Sequence, residues 1–298
     1  MRAALAIATL LASLPAAPSQ EPSDDGSSRL ARAAEAARRG RLGEARALCA
    51  EIVEASPTHR EALLLLGELD LAAGRRRDAL SAFDRAAALD ARDPRAHFGR
   101  GLALHGLALD EEAERAFADV ERLRPSEPVS ARYRGLIAYD RGDLEVAERR
   151  FREAIERSAE EVESRFGLAL CLLAREQAEE ARVALEEVLR RDPLHLGALF
   201  RLGTLDVREG RTAEGEALLA RHRRLARAHD RITFLRDSLR LEPDNVATRV
   251  ALGRACLEEG FPEAAAVEFR RALALRPETE EARTGLAEAL RALGREDG

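Results

Sequence analysis

Six histidines and three cysteines are the side chains of this sequence best suited to binding a transition metal. The histidines are His59, His97, His105, His195, His222 and His229. The sequence contains no HExxH motif and no CxxC pair, so it predicts no zinc site. His222 and His229 lie seven residues apart, which would place both on one side of a helix. We interpret them as packed or half-exposed helix residues rather than as a metal-binding or pH-sensing pair.

Motifs for nucleophilic catalysis or phosphate binding are also missing from the sequence. It has no GxSxG and no P-loop, and Gly99 and Gly101 are predicted inside a helix with no strand before it. Paired acids such as Glu186 and Glu187 alternate with arginines, which is typical of solvated ion pairs on helices. The sequence therefore predicts no catalytic residues, no metal and no cofactor. An enzyme with an unrecognised site is the most remote interpretation.

Composition predicts the class of fold that must position any binding residues. Of the 298 residues, 34% are charged and 4% are aromatic, and there is no tryptophan. The 48 basic residues are all arginine, and 54 acids give a formal net charge of −6, which argues against binding to nucleic acid. Abundant alanine, leucine, glutamate and arginine favour helices. The chain is therefore predicted to be all-α.

The N-terminal residues have the layout of a secretory signal peptide. Arg2 precedes an uncharged apolar run over residues 3–14, and Ala17 and Ser19 stand where small residues are needed for cleavage before Gln20. We expect residues 1–19 to be a signal peptide and the polar residues 20–28 to be a linker. The predicted location is outside the cytoplasm, either periplasmic or secreted in a bacterium. No second long apolar run occurs, so no membrane span is expected after cleavage.

The rest of the chain repeats with a period of 34 residues. Six blocks follow one another without a gap, and a seventh follows an insert at residues 230–245. The blocks are residues 26–59, 60–93, 94–127, 128–161, 162–195, 196–229 and 246–279. Residues 280–298 follow as one more amphipathic helix and a short tail. Repetition of this length is typical of stacked helical hairpins.

The recurring residues have physical roles within a pair of helices. Position 15 of the block is glycine in five blocks, which ends the first helix in a left-handed turn. Positions 8 and 20 are small, so that the two helices can approach closely. Position 24 is Phe83, Phe117, Phe151 and Phe269 in four blocks, where a large side chain fills the space between neighbouring pairs. Proline at position 32 ends the second helix in four blocks.

On these columns the chain resembles the tetratricopeptide repeat (TPR) family. The resemblance implies a right-handed superhelical solenoid of about seven helix-turn-helix repeats with a C-terminal capping helix. It also implies that the first helices line a concave groove that binds a peptide or helix of another protein. The family's carboxylate clamp needs Asn at position 9, where this chain has residues such as Glu68 and Leu102. Binding to acidic tails of cytosolic chaperones is therefore disfavoured.

Two details of the solenoid follow from spacing. A seven-residue spacing relates Leu218, Leu225, Ile232 and Leu239. This spacing favours one helix from about Thr212 to Leu241, and the alternative is a break with Asp230 as N-cap.

The three cysteines, Cys49, Cys171 and Cys256, fall in repeats 1, 5 and 7. Because a repeat contacts only its neighbours, we expect these cysteines to be unpaired and buried.

The groove residues are predicted from positions 5, 9 and 12, which face the concave side in this family. Apolar residues recur there in repeats 3 to 6, and an exposed apolar strip usually marks an interaction site. The predicted contacts are Phe98, Leu102, Arg132, Leu136, Tyr139, Phe166, Leu170, Leu173 and Phe200. An alternative interpretation is that these side chains only pack adjacent first helices together.

The leading function hypothesis is an exported, non-enzymatic adaptor with a protein or peptide partner in this groove. The alternative is an accessory subunit or co-chaperone of an envelope or secretion assembly, engaged through its convex face and ends.

Overall fold

The computed structural model describes residues 26–294, except for the Arg240 side chain, and these residues form fifteen α-helices and no strand. The helices are α1 Gly26–Arg38, α2 Leu42–Ala55, α3 Arg60–Ala72, α4 Arg76–Leu89, α5 Pro94–Gly106, α6 Asp110–Leu123, α7 Pro128–Asp140, α8 Leu144–Arg157, α9 Val162–Ala174, α10 Ala178–Arg191, α11 Leu196–Arg208, α12 Thr212–Leu241, α13 Val246–Glu258, α14 Pro262–Leu275 and α15 Glu280–Ala292. The protein is an all-α solenoid of helical hairpins, as the sequence predicts. The predicted signal peptide, residues 1–19, and most of the predicted linker, residues 20–28, lie outside the described residues.

The turn inside each hairpin has one backbone geometry. Position 15 has a positive φ in all seven repeats, for example 74° at Gly74 and 85° at Gly210. Ala108 and Glu176 adopt the same left-handed conformation with φ of 59° and 60°, although a side chain disfavours it. The packing of the two helices therefore imposes the turn geometry, and glycine only lowers the conformational energy that the left-handed backbone costs.

Four of the described helices begin at a residue whose side chain caps the helix, namely His59, Asp93, His195 and Asn245. Asp93 accepts a hydrogen bond from the Arg95 backbone N–H at 2.9 Å, and Pro94 follows it at the first helical position. His59 and His195 cap α3 and α11 in the same way, because each accepts a backbone N–H through Nδ1. This role for two of the six histidines requires an unprotonated Nδ1.

The phenylalanines of position 24 hold consecutive hairpins together. Phe83 is buried between two glycines: a Cβ on Gly67 would lie 2.7 Å from its Cζ, and a Cβ on Gly99 would lie 2.3 Å from its Cε1. Gly67 is position 8 of the same repeat, and Gly99 is position 6 of the next. We call the four buried side chains Phe83, Phe117, Phe151 and Phe269 the phenylalanine wedges.

The described residues divide into two compact units, with the boundary between Ala181 and Arg182 inside α10. In the first unit, α1 to α9 enclose apolar clusters around Cys49, Phe83, Phe117 and Phe151. In the second unit, α12 to α15 enclose a cluster around Phe269. Each unit thus has a core built from the same hairpin contacts.

The long helix α12 is continuous from Thr212 to Leu241, so no break occurs at Asp230. Ile232 is buried, and Leu235 and Leu239 pack on the core around Phe269. These contacts keep the seven-residue apolar spacing in phase across the insert. The second helix of repeat 6 and the insert therefore form a single element.

The three cysteines are free and buried, as predicted from their separation in the repeat array. Burial raises the pKa of the Cys49 and Cys171 thiols to about 12, and it also raises that of Cys256. The thiols are accordingly protonated at neutral pH and are poor nucleophiles.

Candidate binding face on the first helices

Positions 5, 9 and 12 lie on one face of each first helix because they are separated by four and three residues. In the first unit, α5, α7 and α9 carry half-buried apolar side chains at these positions. They are Phe98, Leu102, Leu136, Tyr139, Leu170 and Leu173. Each has one side against its own unit and another open to solvent. We call this row the first-helix face.

Phe98 is the most firmly held member of this face. Its ring centroid lies 5.8 Å from that of Phe117 and 5.6 Å from that of Tyr133, and Phe117 and Tyr133 stack at 5.1 Å. Leu102 and Leu136 pack on the same cluster, and Leu136 and Tyr139 also contact the cluster around Phe151. The part of the row on α5 and α7 is therefore supported by two wedges and presents preorganised side chains.

Phe166 is a correction to the sequence prediction. Its side chain is 7% exposed and belongs to the interior of the first unit, so it cannot contact a partner on an intact surface. Phe166 therefore packs adjacent first helices together, which is the alternative interpretation of the residues at position 5. A charged substitution there would bury an unpaired charge rather than test binding.

Arg132 is also not available in the way the sequence suggests. Its Nη1 lies 3.4 Å from Glu161 Oε2, an oxygen that also accepts a hydrogen bond from Ser164 Oγ at 3.0 Å. The Arg132 guanidinium carbon also lies 5.4 Å above the Tyr133 ring centroid. These contacts keep the Arg132 side chain against the first unit. An acidic group of a partner would have to replace Glu161 as the ion-pair partner of Arg132.

Phe200 belongs to the second unit. It is 44% exposed on α11, its ring centroid lies 5.3 Å from that of His222, and the Arg201 guanidinium lies 6.0 Å from the Phe200 centroid. His222 Nδ1 also lies 3.1 Å from the Leu196 carbonyl oxygen. His222 is therefore hydrogen-bonded and packed against the tilted Phe200 ring, which explains how a polar ring is tolerated on the inner side of α12.

Glu68 is a buried acid on α3, outside the first-helix face, and the sequence does not predict its burial. It occupies position 9 of repeat 2, is 7% exposed, and its Oε2 has no hydrogen-bond partner among the described residues. Burial raises the pKa of Glu68 to about 7, although the charge of Arg95 opposes the shift. The sequence does contain an indication of this burial, because Leu102, Leu136 and Leu170 occupy the same position 9 in the next three repeats.

Within residues 26–294, no three histidine, cysteine or acidic side chains come close enough to hold a metal ion together. None of the helices in this range is long and apolar enough to cross a bilayer. What the described geometry offers is a supported apolar face with aromatic members, which is suited to binding another chain.

Comparison with protein families gives matches over most of the chain. One family model described as tetratricopeptide repeat matches residues 36–104 and 172–233, and a second with the same description matches residues 134–186 and 250–298. The chain is 35% identical over 147 residues to the cellulose synthase 2 operon protein C of Komagataeibacter xylinus. That alignment spans 42% of this chain and 11% of the relative, so the chain corresponds to a small part of that protein's length.

Solved structures with similar folds come from several sources. A tetratricopeptide repeat protein from Parabacteroides merdae is similar over 90% of this chain and 100% of its own, with a TM-score of 0.57 and 17% identity. The PilF protein of Pseudomonas aeruginosa is similar over 77% of this chain and 97% of its own, with a TM-score of 0.53 and 16% identity. At these identities the likeness concerns the fold alone.

Proposed function

Since the chain belongs to the tetratricopeptide repeat family, we propose that it is a non-catalytic adaptor that binds a segment of another protein on the first-helix face of its first unit. The observation that carries this proposal is the row of half-buried apolar side chains on α5, α7 and α9. Apolar surface that is contiguous and preorganised favours binding, because little side-chain entropy is lost when a partner covers it.

The chemistry of the face suggests the class of partner. Phe98 and Tyr139 are aromatic anchors, and such residues carry much of the binding free energy in protein interfaces. Leu102, Leu136 and Leu170 extend the row as aliphatic contacts. A peptide or helix with apolar side chains at regular spacing fits this surface better than an acidic tail does, because Arg132 is already paired with Glu161.

The second candidate is an accessory role in an envelope assembly. It is favoured by the similarity to a protein named after a cellulose synthase operon, and by the N-terminal pattern of residues 1–19. In this role the chain acts outside the cytoplasm as one component of a larger machinery.

The adaptor proposal is tested by site-specific photocrosslinking in the native cells. A benzoylphenylalanine at Tyr139 or Leu170 should crosslink one defined protein, whereas the same probe at Val146, an exposed apolar residue on α8, should not. Leu170→Glu should reduce the crosslink at Tyr139 about tenfold, because a partner would have to bury the new charge. Equal crosslinking from Val146 and Tyr139 would argue against the first-helix face.

Export is tested separately by the intact mass of the protein from those cells. Loss of a segment of about residues 1–19 is the expected result. A full-length mass in the cytoplasmic fraction would contradict export while leaving the adaptor proposal open.

A further inference from the structure

The outer side of α12 in the second unit is more basic than the rest of this acidic protein. Residues 221–231 contain five arginines and one acid, Asp230, although the whole chain has a net charge of −6. Four of these arginines recur at helical spacing on the exposed side of the helix. They are Arg223, Arg224, Arg227 and Arg231, and we call them the arginine stripe.

Most of the arginine stripe is not neutralised. In the described part of the chain, Arg223, Arg224 and Arg227 have no acidic side chain within salt-bridge distance, and only Arg231 has a partner, Glu258 at 2.8 Å. Many arginines elsewhere in the described chain are paired with acids. Arg249 lies 3.0 Å from Glu268, for example, and both of these side chains are largely buried.

The arginine stripe also has a concave shape. It lines an open groove of about 350 Å³, together with Ala220 and Ala228 of α12 and Glu259 at the end of α13. The two alanines keep the groove free between the longer side chains. Guanidinium groups can therefore approach a bound carboxylate from more than one side, and the planar guanidinium pairs with a carboxylate through two parallel hydrogen bonds.

The same side of α12 continues into exposed apolar residues. Phe234 and Leu241 are 70% and 86% exposed. Phe234 follows Arg227 and Arg231 at spacings of seven and three residues, and Leu241 follows Phe234 at a spacing of seven. At 1.5 Å per residue, the surface from Arg223 to Leu241 is about 27 Å long. It combines a basic part and an apolar part along one line of the helix.

We propose that this side of α12 is a docking surface for an acidic segment of another protein that carries an apolar anchor beyond its acidic residues. Charge complementarity selects the segment, because three unpaired arginines within little more than one helical turn match a cluster of carboxylates. Phe234 and Leu241 favour a protein segment over inorganic polyphosphate, since polyphosphate has no apolar group to cover them. The surface lies on a second helix and is independent of the first-helix face.

The probe for this surface is a fluorescein-labelled helical peptide. It carries four glutamates at i, i+3, i+4 and i+7 and one leucine two turns further along. Fluorescence anisotropy against the full chain should show binding that weakens with added salt, because exposed ion pairs are screened. The peptide with glutamine in place of every glutamate should not bind measurably.

Two variants separate the basic and apolar contributions. Arg223→Gln/Arg224→Gln/Arg227→Gln should weaken binding at least about tenfold, which corresponds to about 0.5 kcal/mol or more for each exposed ion pair. Phe234→Ser should weaken it about threefold to tenfold and leave the salt dependence unchanged. The matched control is Arg77→Gln/Arg92→Gln/Arg124→Gln, which removes the same charge from exposed residues of the first unit and should change affinity less than twofold.

Several results would overturn the proposal. They are the absence of binding by the wild-type chain, equal loss of affinity in the control variant, and equal binding of the glutamine peptide. Tighter binding of a single-stranded oligonucleotide or of anionic phospholipid vesicles through the same arginines would also overturn it, because the surface would then recognise phosphate rather than an acidic protein segment.

Discussion

Repeats 4 and 6 solve the same packing problem in different ways. In repeat 4, Phe151 lies between Gly135 and Gly167, so an aromatic ring fills the space that the glycines leave. In repeat 6, position 20 is Gly215, and a Cβ there would lie 2.6 Å from the Gly203 carbonyl oxygen. The two helices of repeat 6 therefore approach by backbone contact, with the half-buried Leu219 in place of the ring.

The difference shows that the hairpin spacing can be set by a side chain or by the backbone. A buried phenylalanine contributes a large apolar area and a rigid shape. Direct backbone approach contributes less buried apolar surface. We therefore expect repeats with a wedge to be more stable locally and more sensitive to truncation than repeat 6.

The largest expected effect comes from removing the ring. Phe151→Ala should lower the free energy of unfolding by about 4 kcal/mol, because Gly135 and Gly167 have no side chains that could fill the cavity. Leu219→Ala should cost only about 1–2 kcal/mol, since Leu219 is partly exposed. Urea unfolding followed by circular dichroism measures both, and equal losses would contradict the comparison.

The next effect comes from adding a methyl group at the close contacts. Gly99→Ala should cost about 1–3 kcal/mol, because its Cβ would lie 2.3 Å from Phe83. The double variant with Phe83→Leu should lose less than the two single variants together, since the smaller side chain leaves room.

Gly215→Ala is the matched case in repeat 6. Its Cβ would lie 2.7 Å from Val207 Cγ2, but also 2.6 Å from the Gly203 carbonyl oxygen and 2.8 Å from the Val207 backbone nitrogen, two backbone contacts that truncation of Val207 would leave in place. Val207→Ala should therefore give no comparable recovery. Recovery of equal size in both repeats would show that side chains control the spacing in repeat 6 as well.

Repeat 2 has a wedge but also an electrostatic weakness at Glu68. Because burial raises the Glu68 pKa from 4.5 to about 7, the folded state binds more protons than the unfolded state between these values, and stability falls as the pH rises through that window. Glu68→Gln should therefore raise the unfolding free energy by up to about 3 kcal/mol at pH 8 and have little effect at pH 4.

The control for Glu68 is a carboxylate with the opposite shift. Side-chain hydrogen bonds and the charges of Arg157 and Arg134 lower the Glu121 pKa although burial acts to raise it. Glu121→Gln should accordingly reduce stability at pH 8 and lose this effect as the pH falls below the Glu121 range. A stabilising Glu121→Gln, or a Glu68→Gln effect independent of pH, would contradict this assignment.

The smallest effect concerns the turns. Ala108 in repeat 3 is left-handed with a Cβ, whereas Gly210 serves the same turn in repeat 6. Ala108→Gly should stabilise by less than about 1 kcal/mol, because relief of the strain is partly offset by the greater entropy of glycine in the unfolded chain. Gly210→Ala should destabilise by about 1 kcal/mol. Thermal unfolding resolves both, and a destabilising Ala108→Gly would show that the turn of repeat 3 carries no strain.

Much of the fold could be predicted from local patterns. The period of 34, the turn glycines, the prolines and Phe83, Phe117, Phe151 and Phe269 predict an all-α hairpin array, because these residues act within one hairpin or between neighbours. The seven-residue spacing from Leu218 to Leu239 favours the continuous α12. Free cysteines followed from the same locality of contacts.

The candidate site was predicted less completely, because exposure depends on how neighbouring helices pack. Position 5 is half-buried at Phe98, buried at Phe166 and exposed at Phe200, although all three are phenylalanine at one repeat position. Position 6, where Gly99, Tyr133 and Gly167 face the preceding wedges, shows no single residue type and was not recognised in the sequence. The residue at position 6 varies from repeat to repeat because it fits the wedge of the preceding repeat. Such a position has no consensus residue that a sequence pattern could detect.

The sequence by itself determined the elements, their order and their turns, since backbone preference and apolar period act over a few residues. Only the tertiary structure decided which polar groups are buried and which arginines lack partners. Glu68 and Arg223 are both charged residues on helices, yet Glu68 is buried and desolvated whereas Arg223 is exposed and stays hydrated. Whether a charged side chain is desolvated depends on the side chains that pack around it in the folded protein, and the residue type alone does not determine it.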